Sequence, residues 1–203
     1  MKIINLYGGP GCGKSTAAAG LFSLMKKEGH KVELVTEFAR DEINSGNSHR
    51  LNNQDWIFAH QHHRIQRLQD SNIDYVITDS PLLLMLIYAE DVWIEKPYLN
   101  SFKTFVYEVD QTYHSLNFFL KRNGEFVEDD PGRVHTLEES EKIDERIINM
   151  LEYKRVPYTK IQVTENTVND IYSKINYLYK IYNDAKTKKG TGLTWNIFSR
   201  RGH

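Results

Sequence analysis

Gly8-Gly9-Pro10-Gly11-Cys12-Gly13-Lys14-Ser15-Thr16 is the stretch of this chain best equipped for chemistry. Gly8, Gly13, Lys14 and Ser15 stand at the fixed positions of the G-x-x-x-x-G-K-[ST] pattern. Glycines so spaced let successive backbone N–H groups turn inward around a phosphate, and a helix N-terminus behind them adds partial positive charge. The lysine can reach the β- and γ-phosphates of a nucleoside triphosphate, the Ser15 hydroxyl can ligate Mg²⁺, and Thr16 is placed for the α-phosphate. The expectation is a site for ATP and Mg²⁺ formed by residues 8–16. Cys12 lies inside the loop, but phosphoryl chemistry needs no thiol and no covalent role is expected of it.

Other residues can complete such a site. The run 73–79, Ile-Asp-Tyr-Val-Ile-Thr-Asp, reads as a buried strand that delivers Asp79 to its tip, where a second Mg²⁺ ligand belongs. Capping the helix that follows is the plainer role for this acid. Glu37 and Arg40, in Thr36-Glu37-Phe38-Ala39-Arg40, follow another strand and would face the same crevice. Glu37 can take the proton of a substrate hydroxyl, and Arg40 can hold a phosphate or that carboxylate. The alternative is a first-turn glutamate favoured by the helix dipole. Lys121, Arg122 and Arg133 bracket a stretch, about 121–135, that also holds Gly124, Pro131 and Gly132. It reads as a lid whose cations stabilise the transferring phosphoryl group, although Glu128, Asp129 and Asp130 partly cancel them.

Two absences bear on the reaction. The residue after Asp79 is Ser80, not the second acid that commonly orients water in an ATPase, and no Asn-Lys-x-Asp segment reads guanine. Both shift the expectation from hydrolysis or switching towards transfer to an acceptor. His60, His62 and His63 share a predicted helix with Gln61 and Arg64. A metal site there lacks a completing acid or cysteine, and the helix can instead line the acceptor pocket.

These residues need elements to hold them. Strands are expected at 2–7, 31–36, 73–79, 102–109 and 158–163. Helices are expected at 17–27, 37–43, 54–70, 82–88, 113–120, 136–153 and 168–181, with Trp56, Ile57, Ala59, His60, His63, Ile65 and Leu68 on one broad face of the third. Thr136-Leu137-Glu138-Glu139 resembles a capping box. Strands alternating with helices imply an α/β fold with a parallel sheet covered on both faces.

The chain has 203 residues, 40% of them apolar and 26% charged, with net charge −1, which suits one globular domain and gives no overall basic field for nucleic acid. A single cysteine excludes an internal disulfide and suits a reducing compartment. No signal peptide or membrane span is expected, so the enzyme reads as cytoplasmic.

The phosphate loop, Thr-Glu-Phe-Ala-Arg after strand two, the Gln/His-rich helix and Ile-Thr-Asp-Ser after strand three together resemble the NadR-type ribosylnicotinamide kinase domain. That group belongs to the nucleoside- and nucleotide-kinase-like P-loop proteins, a pattern shared with many phage ATP-binding proteins. The resemblance spans roughly residues 1–180. It implies a three-layer P-loop NTPase fold with sheet order 2-3-1-4-5, ATP·Mg²⁺ as donor, and a nucleoside-like small molecule as acceptor. Lys14, Glu37, Arg40, Arg122 and Arg133 are then the catalytic candidates, and Ser15 and Asp79 the metal ligands. No nucleotidyltransferase domain accompanies the kinase-like residues, so the acceptor's identity does not carry over. The kinase-like domain is expected over 1–185, followed by a tail, 186–203. That tail holds Lys186, Lys188, Lys189, Arg200 and Arg201 with Trp195 and Phe198, and no acids. Such a composition suits contact with nucleic acid, whereas a disordered or docked tail is the plainer reading. Kinases acting on a modified base or an end in DNA, and a nucleotide switch without an acceptor, are the rival readings.

Overall fold

Runs of apolar residues buried from both sides decide the centre of the molecule. The computed structural model of the chain describes residues 1–123 and 136–188. Five strands, β1 (Lys2–Tyr7), β2 (Val32–Val35), β3 (Tyr75–Thr78), β4 (Ser115–Lys121) and β5 (Thr159–Gln162), form one sheet in the order β2-β3-β1-β4-β5. Every pairing is parallel. Alternation along the strands divides the core in two. Ile4, Leu6, Ile77, Phe118 and Leu120 face α1 (Lys14–Lys27) and α7 (Thr167–Lys188), where Leu21, Met25, Ile171 and Ile175 meet them. Ile3, Tyr7, Val76 and Phe119 face the opposite layer. That layer comprises α3 (Gln54–Gln66), α4 (Met85–Trp93), α5 (Leu99–Gln111) and α6 (Leu137–Tyr153). The short α2 (Phe38–Asn44) and a 3-10 turn at Ser48–Asn52 link β2 to α3. This is the three-layer arrangement and strand order expected of a P-loop NTPase.

One pair of elements differs from the sequence expectation. Residues 102–109 form part of helix α5, not a strand, and 115–121 form β4 where a helix is expected. In α5 the buried Leu99, Val106 and Asp110 recur at helical spacing, and Phe105, which gives the segment its strand-like look, is exposed. Asn117-Phe118-Phe119-Leu120 is buried throughout, as only an inner parallel strand allows. The stripe on α3 also shifts: Gln54, Ile57, Phe58, Gln61 and Ile65 are buried, and Trp56 and Ala59 are exposed. The capping box forms as expected, with the Thr136 hydroxyl accepting from Glu139 N–H and the Glu139 carboxylate from Thr136 N–H. Helix α7 continues past residue 186, to Lys188; the rest of the tail lies outside the described residues. No helix among the described residues is long and apolar enough to cross a membrane.

Polar groups inside the sheet fix its register. Asn5 Nδ2 donates to Asn117 Oδ1 at 2.9 Å, and Asn117 Nδ2 donates to the Pro157 carbonyl at 3.0 Å. Slipping the strands would leave buried amides unpaired, at about 1–3 kcal/mol each. Asp110 is buried with Tyr7 and Tyr113 in electrostatic reach. Loss of hydration pushes its carboxyl up to about 7, against a weak opposing hydrogen bond from Gln111.

The sign of that shift gives a prediction. The folded chain keeps the Asp110 proton between about pH 4 and pH 7, where the unfolded chain releases it, so stability falls as pH rises through this window. Asp110→Asn, an uncharged isostere, should match the wild type in thermal unfolding near pH 4. Near pH 8 it should be the more stable by roughly 2–4 kcal/mol. Equal unfolding curves at both pH values would show that Asp110 is ionised without penalty.

Candidate functional site

The phosphate loop leaves the C-terminal tip of β1 and turns into α1 through Gly13, whose φ of 88° is one that side-chain-bearing residues rarely adopt. Lys14 Nζ reaches back across the loop and donates to the Gly9 carbonyl at 2.9 Å. The Cys12 side chain is buried among core residues of α1, so only its backbone remains for a ligand. Ser15 and Thr16 are exposed on the first turn, where the helix N–H groups have no intrahelical acceptor. The loop therefore has the geometry of an anion cradle.

Asp79 stands one residue beyond β3, the strand paired with β1 through Asn5 and Thr78. It is buried, and its Oδ1 makes no hydrogen bond among the described residues. An unpartnered carboxylate oxygen at the tip of the strand beside β1 and an exposed serine hydroxyl at the start of α1 are hard-oxygen donors, a chemistry that fits Mg²⁺ held jointly with phosphates. Among the described residues no group of three or more His, Cys, Asp or Glu side chains could hold a metal by itself.

Glu37 occupies the N-cap of α2 but makes no capping hydrogen bond with its side chain. Its carboxyl is raised chiefly by burial; Lys14 opposes the shift, Asp79 adds to it, Arg40 opposes it and Asp41 adds to it. Residues from β2, the phosphate loop and β3 thus meet in one field. Arg40 is largely exposed, its Nε 3.9 Å from Glu37 Oε2. Tyr88 on α4 completes this side: its hydroxyl is pushed well up, first by burial and then by the Glu37 charge.

Gln61 ties these parts together. Its Oε1 accepts from the Phe38 N–H at 2.9 Å, and its Nε2 donates to Thr78 Oγ1 at 3.4 Å. The same Thr78 oxygen accepts from the Ser80 N–H at 3.1 Å. One buried amide therefore sets the spacing between the turn that carries Glu37 and the turn that carries Asp79. Of the histidines on the same helix, His60 stacks on Phe38 at 4.3 Å and His62 Nε2 lies 2.9 Å from the Tyr113 hydroxyl. Arg64 bonds Thr36 and Asp41, bracing the opposite side of α2.

Arg122, just past β4, lies against the phosphate loop. Its Nε donates to Asp144 Oδ2 at 2.6 Å and its Nη2 to the Pro10 carbonyl at 3.2 Å. The other Asp144 oxygen accepts from the Gly9 N–H at 2.5 Å. Arg133 and the rest of the expected lid after Asn123 lie outside the described residues.

The structure thus gathers Lys14, Glu37, Asp79 and Arg122 around the loop, with Arg40 at the margin. Gln61, Tyr88 and Asp144 are the additions. A glutamine inside an otherwise apolar helical stripe signals the first of them; nothing local in the sequence signals Asp144. Residues 3–170, which include every one of these side chains, match the family described as AAA domain. A search among curated proteins finds no match.

Gly9 has no room for a side chain. A Cβ there would stand 2.5 Å from the Ser140 carbonyl and 2.9 Å from Asp144 Oδ1. Gly9→Ala should push α6 off the loop and weaken ATP binding by about tenfold or more, the equivalent of roughly 1–3 kcal/mol of overpacking. Calorimetric titration with ATP checks this, and unchanged affinity would mean that the loop and α6 move independently.

Proposed function

The chain belongs to the AAA domain family of P-loop NTPases, and on that premise we propose that it is an ATP-dependent kinase acting on a hydroxyl of a nucleoside-like molecule. The observation that carries this reading is Glu37. Its carboxylate is spent on no helix cap, is partly buried, and lies in electrostatic reach of Lys14 and Asp79. Burial raises its proton affinity, which is what a base for an alcohol requires.

In this reading the γ-phosphorus gains a bond to the acceptor oxygen and loses its bond to the bridging oxygen of ADP. Glu37 takes the hydroxyl proton and later returns it to water. Lys14, the loop N–H groups and Arg122 offset the charge that spreads over the phosphoryl oxygens. Ser15 and Asp79 would hold Mg²⁺, which when bound neutralises charge on the β- and γ-oxygens. Tyr88, kept neutral, can donate to the acceptor from α4, and Arg40 closes the margin. The resemblance to the NadR-type kinase domain points to the same class of acceptor. An acceptor in DNA, met through the basic tail, remains the rival within the kinases.

Hydrolysis is the second reading, favoured by membership of an NTPase family: Glu37 would then order a water. Ser80, with its N–H bound to Thr78, leaves Glu37 as the acid available for that task beside Asp79. The two readings part in one experiment. Glu37→Gln should bind ATP·Mg²⁺ within a few-fold of wild type, while transfer to an acceptor falls about 10²–10⁴-fold. Lys14→Ala should lower turnover by at least about 10²-fold with the fold intact. Assays of labelled ATP against nucleosides, mononucleotides and DNA read both outcomes. Full transfer by Glu37→Gln would reduce Glu37 to a helix-end residue; ATP hydrolysis at an acceptor-independent rate would favour the NTPase.

A further inference from the structure

A concavity of about 970 Å³ opens between the 50–56 stretch and the connection from α4 to α5. Its walls offer flat apolar surface and positive charge together. Trp56 and Tyr98 are 41% and 49% exposed, and both rings lie in this one lining. Trp93 is the fixed element behind them: its indole N–H donates to the Asn52 carbonyl at 2.9 Å, and its ring meets Tyr98 edge-on at 5.3 Å. The Arg50 guanidinium stands 5.9 Å from the Trp56 ring while also pairing with Glu42 at 3.2 Å. Lys96 lines the same wall, exposed and in no ion pair among the described residues. The acid in the lining, Asp55, is turned back to accept the Trp56 N–H at 2.9 Å.

This concavity adjoins the turn that carries Glu37, because its Trp56 wall packs near Phe38. Phe38, the residue after Glu37, stacks on His60 at 4.3 Å and lies 6.3 Å from Trp56; Trp56 and His60 are 4.0 Å apart. A line of rings therefore runs from Glu37 to the rim. Resting on the kinase reading, we propose that the concavity is the far half of the acceptor site and that the acceptor is a nucleotide rather than an uncharged nucleoside. The base stacks on Trp56 and Tyr98. The acceptor's own phosphate meets Lys96 and Arg50, and the accepting hydroxyl, at the opposite end of the sugar, reaches Glu37. Base plus phosphate is offered alike by a free mononucleotide and by the terminal nucleotide of a strand.

Equilibrium binding to the full chain without ATP tests this. The probes are the four ribonucleosides, their 3′- and 5′-monophosphates, and a tetranucleotide with a free 5′-hydroxyl, followed by calorimetry and tryptophan fluorescence. At least one mononucleotide should bind about tenfold or more tightly than its nucleoside, and Lys96→Glu should erase that preference. Trp56→Ala should weaken nucleotide and nucleoside alike by about 5- to 150-fold, the worth of one stacked base. ATP affinity should stay at the wild-type value in both variants. A tetranucleotide that binds more tightly than the monomers assigns the acceptor to a strand end, and the reverse assigns it to the free nucleotide; either supports the proposal. Equal binding of nucleosides and nucleotides, or a preference that survives Lys96→Glu, overturns it. Because the assay contains no ATP, failure of phosphoryl transfer with every acceptor would sink the kinase reading and leave this result standing. Efficient transfer to nucleosides without phosphate preference would do the opposite.

Discussion

β1 is hydrogen-bonded on both sides, and the pairing register there governs everything that touches the phosphate loop. Asn5 lies opposite Thr78 on one side and Asn117 on the other. That register makes Asp79 and the loop leave adjoining strand tips, and it brings Arg122 to the loop's other flank. A slip of one residue would turn alternate side chains to the wrong face and strand the Asn5 and Asn117 amides in the core. The crevice is therefore less a property of the loop than of three strands held in step.

Around that frame acids and bases alternate. Glu37 and Asp79 share one field with Lys14, Arg122 is paired with Asp144, and Arg40 stands near Glu37 at the margin. Gln61 keeps the two carboxylate-bearing turns at a fixed spacing without adding charge of its own. Arg64 and Asp41 brace α2 from the solvent side, so the helix that presents Glu37 is gripped at its start from two directions.

The placement of the phosphate loop, Asp79 and Glu37 just past strand tips was legible in sequence, because each follows an apolar run that must be a strand. Sheet order followed from the resemblance, which those motifs carry. The exchange between α5 and β4 was not legible locally: Phe102 to Val109 alternates well enough for a strand, and burial on two faces is a tertiary fact. The stripe on α3 was misplaced for a related reason. Trp56 reads as a core residue by type but lines a concavity instead, His60 lies half-buried against Phe38, and the polar Gln54 and Gln61 take buried positions. Asp144 has no local signature, since its partners Gly9 and Arg122 are distant in sequence and converge only when α6 lies over the loop.

The two ends of the segment between Asn123 and Thr136 are each anchored independently of what lies between them. Arg122 is tied to Asp144 and Pro10, and Thr136 is tied to Glu139 within its own helix. Arg122 also donates to the Ser140 carbonyl at 3.4 Å, so both anchors lie at the start of α6 and the fold itself holds the two ends together. Lengthening a segment whose ends are already held together costs little, because closure entropy grows only with the logarithm of its length. For descendants of this sequence, the segment is therefore a place where insertions and exchanges leave the loop, the sheet and α6 undisturbed. Diversification of that segment can proceed without renegotiating the core.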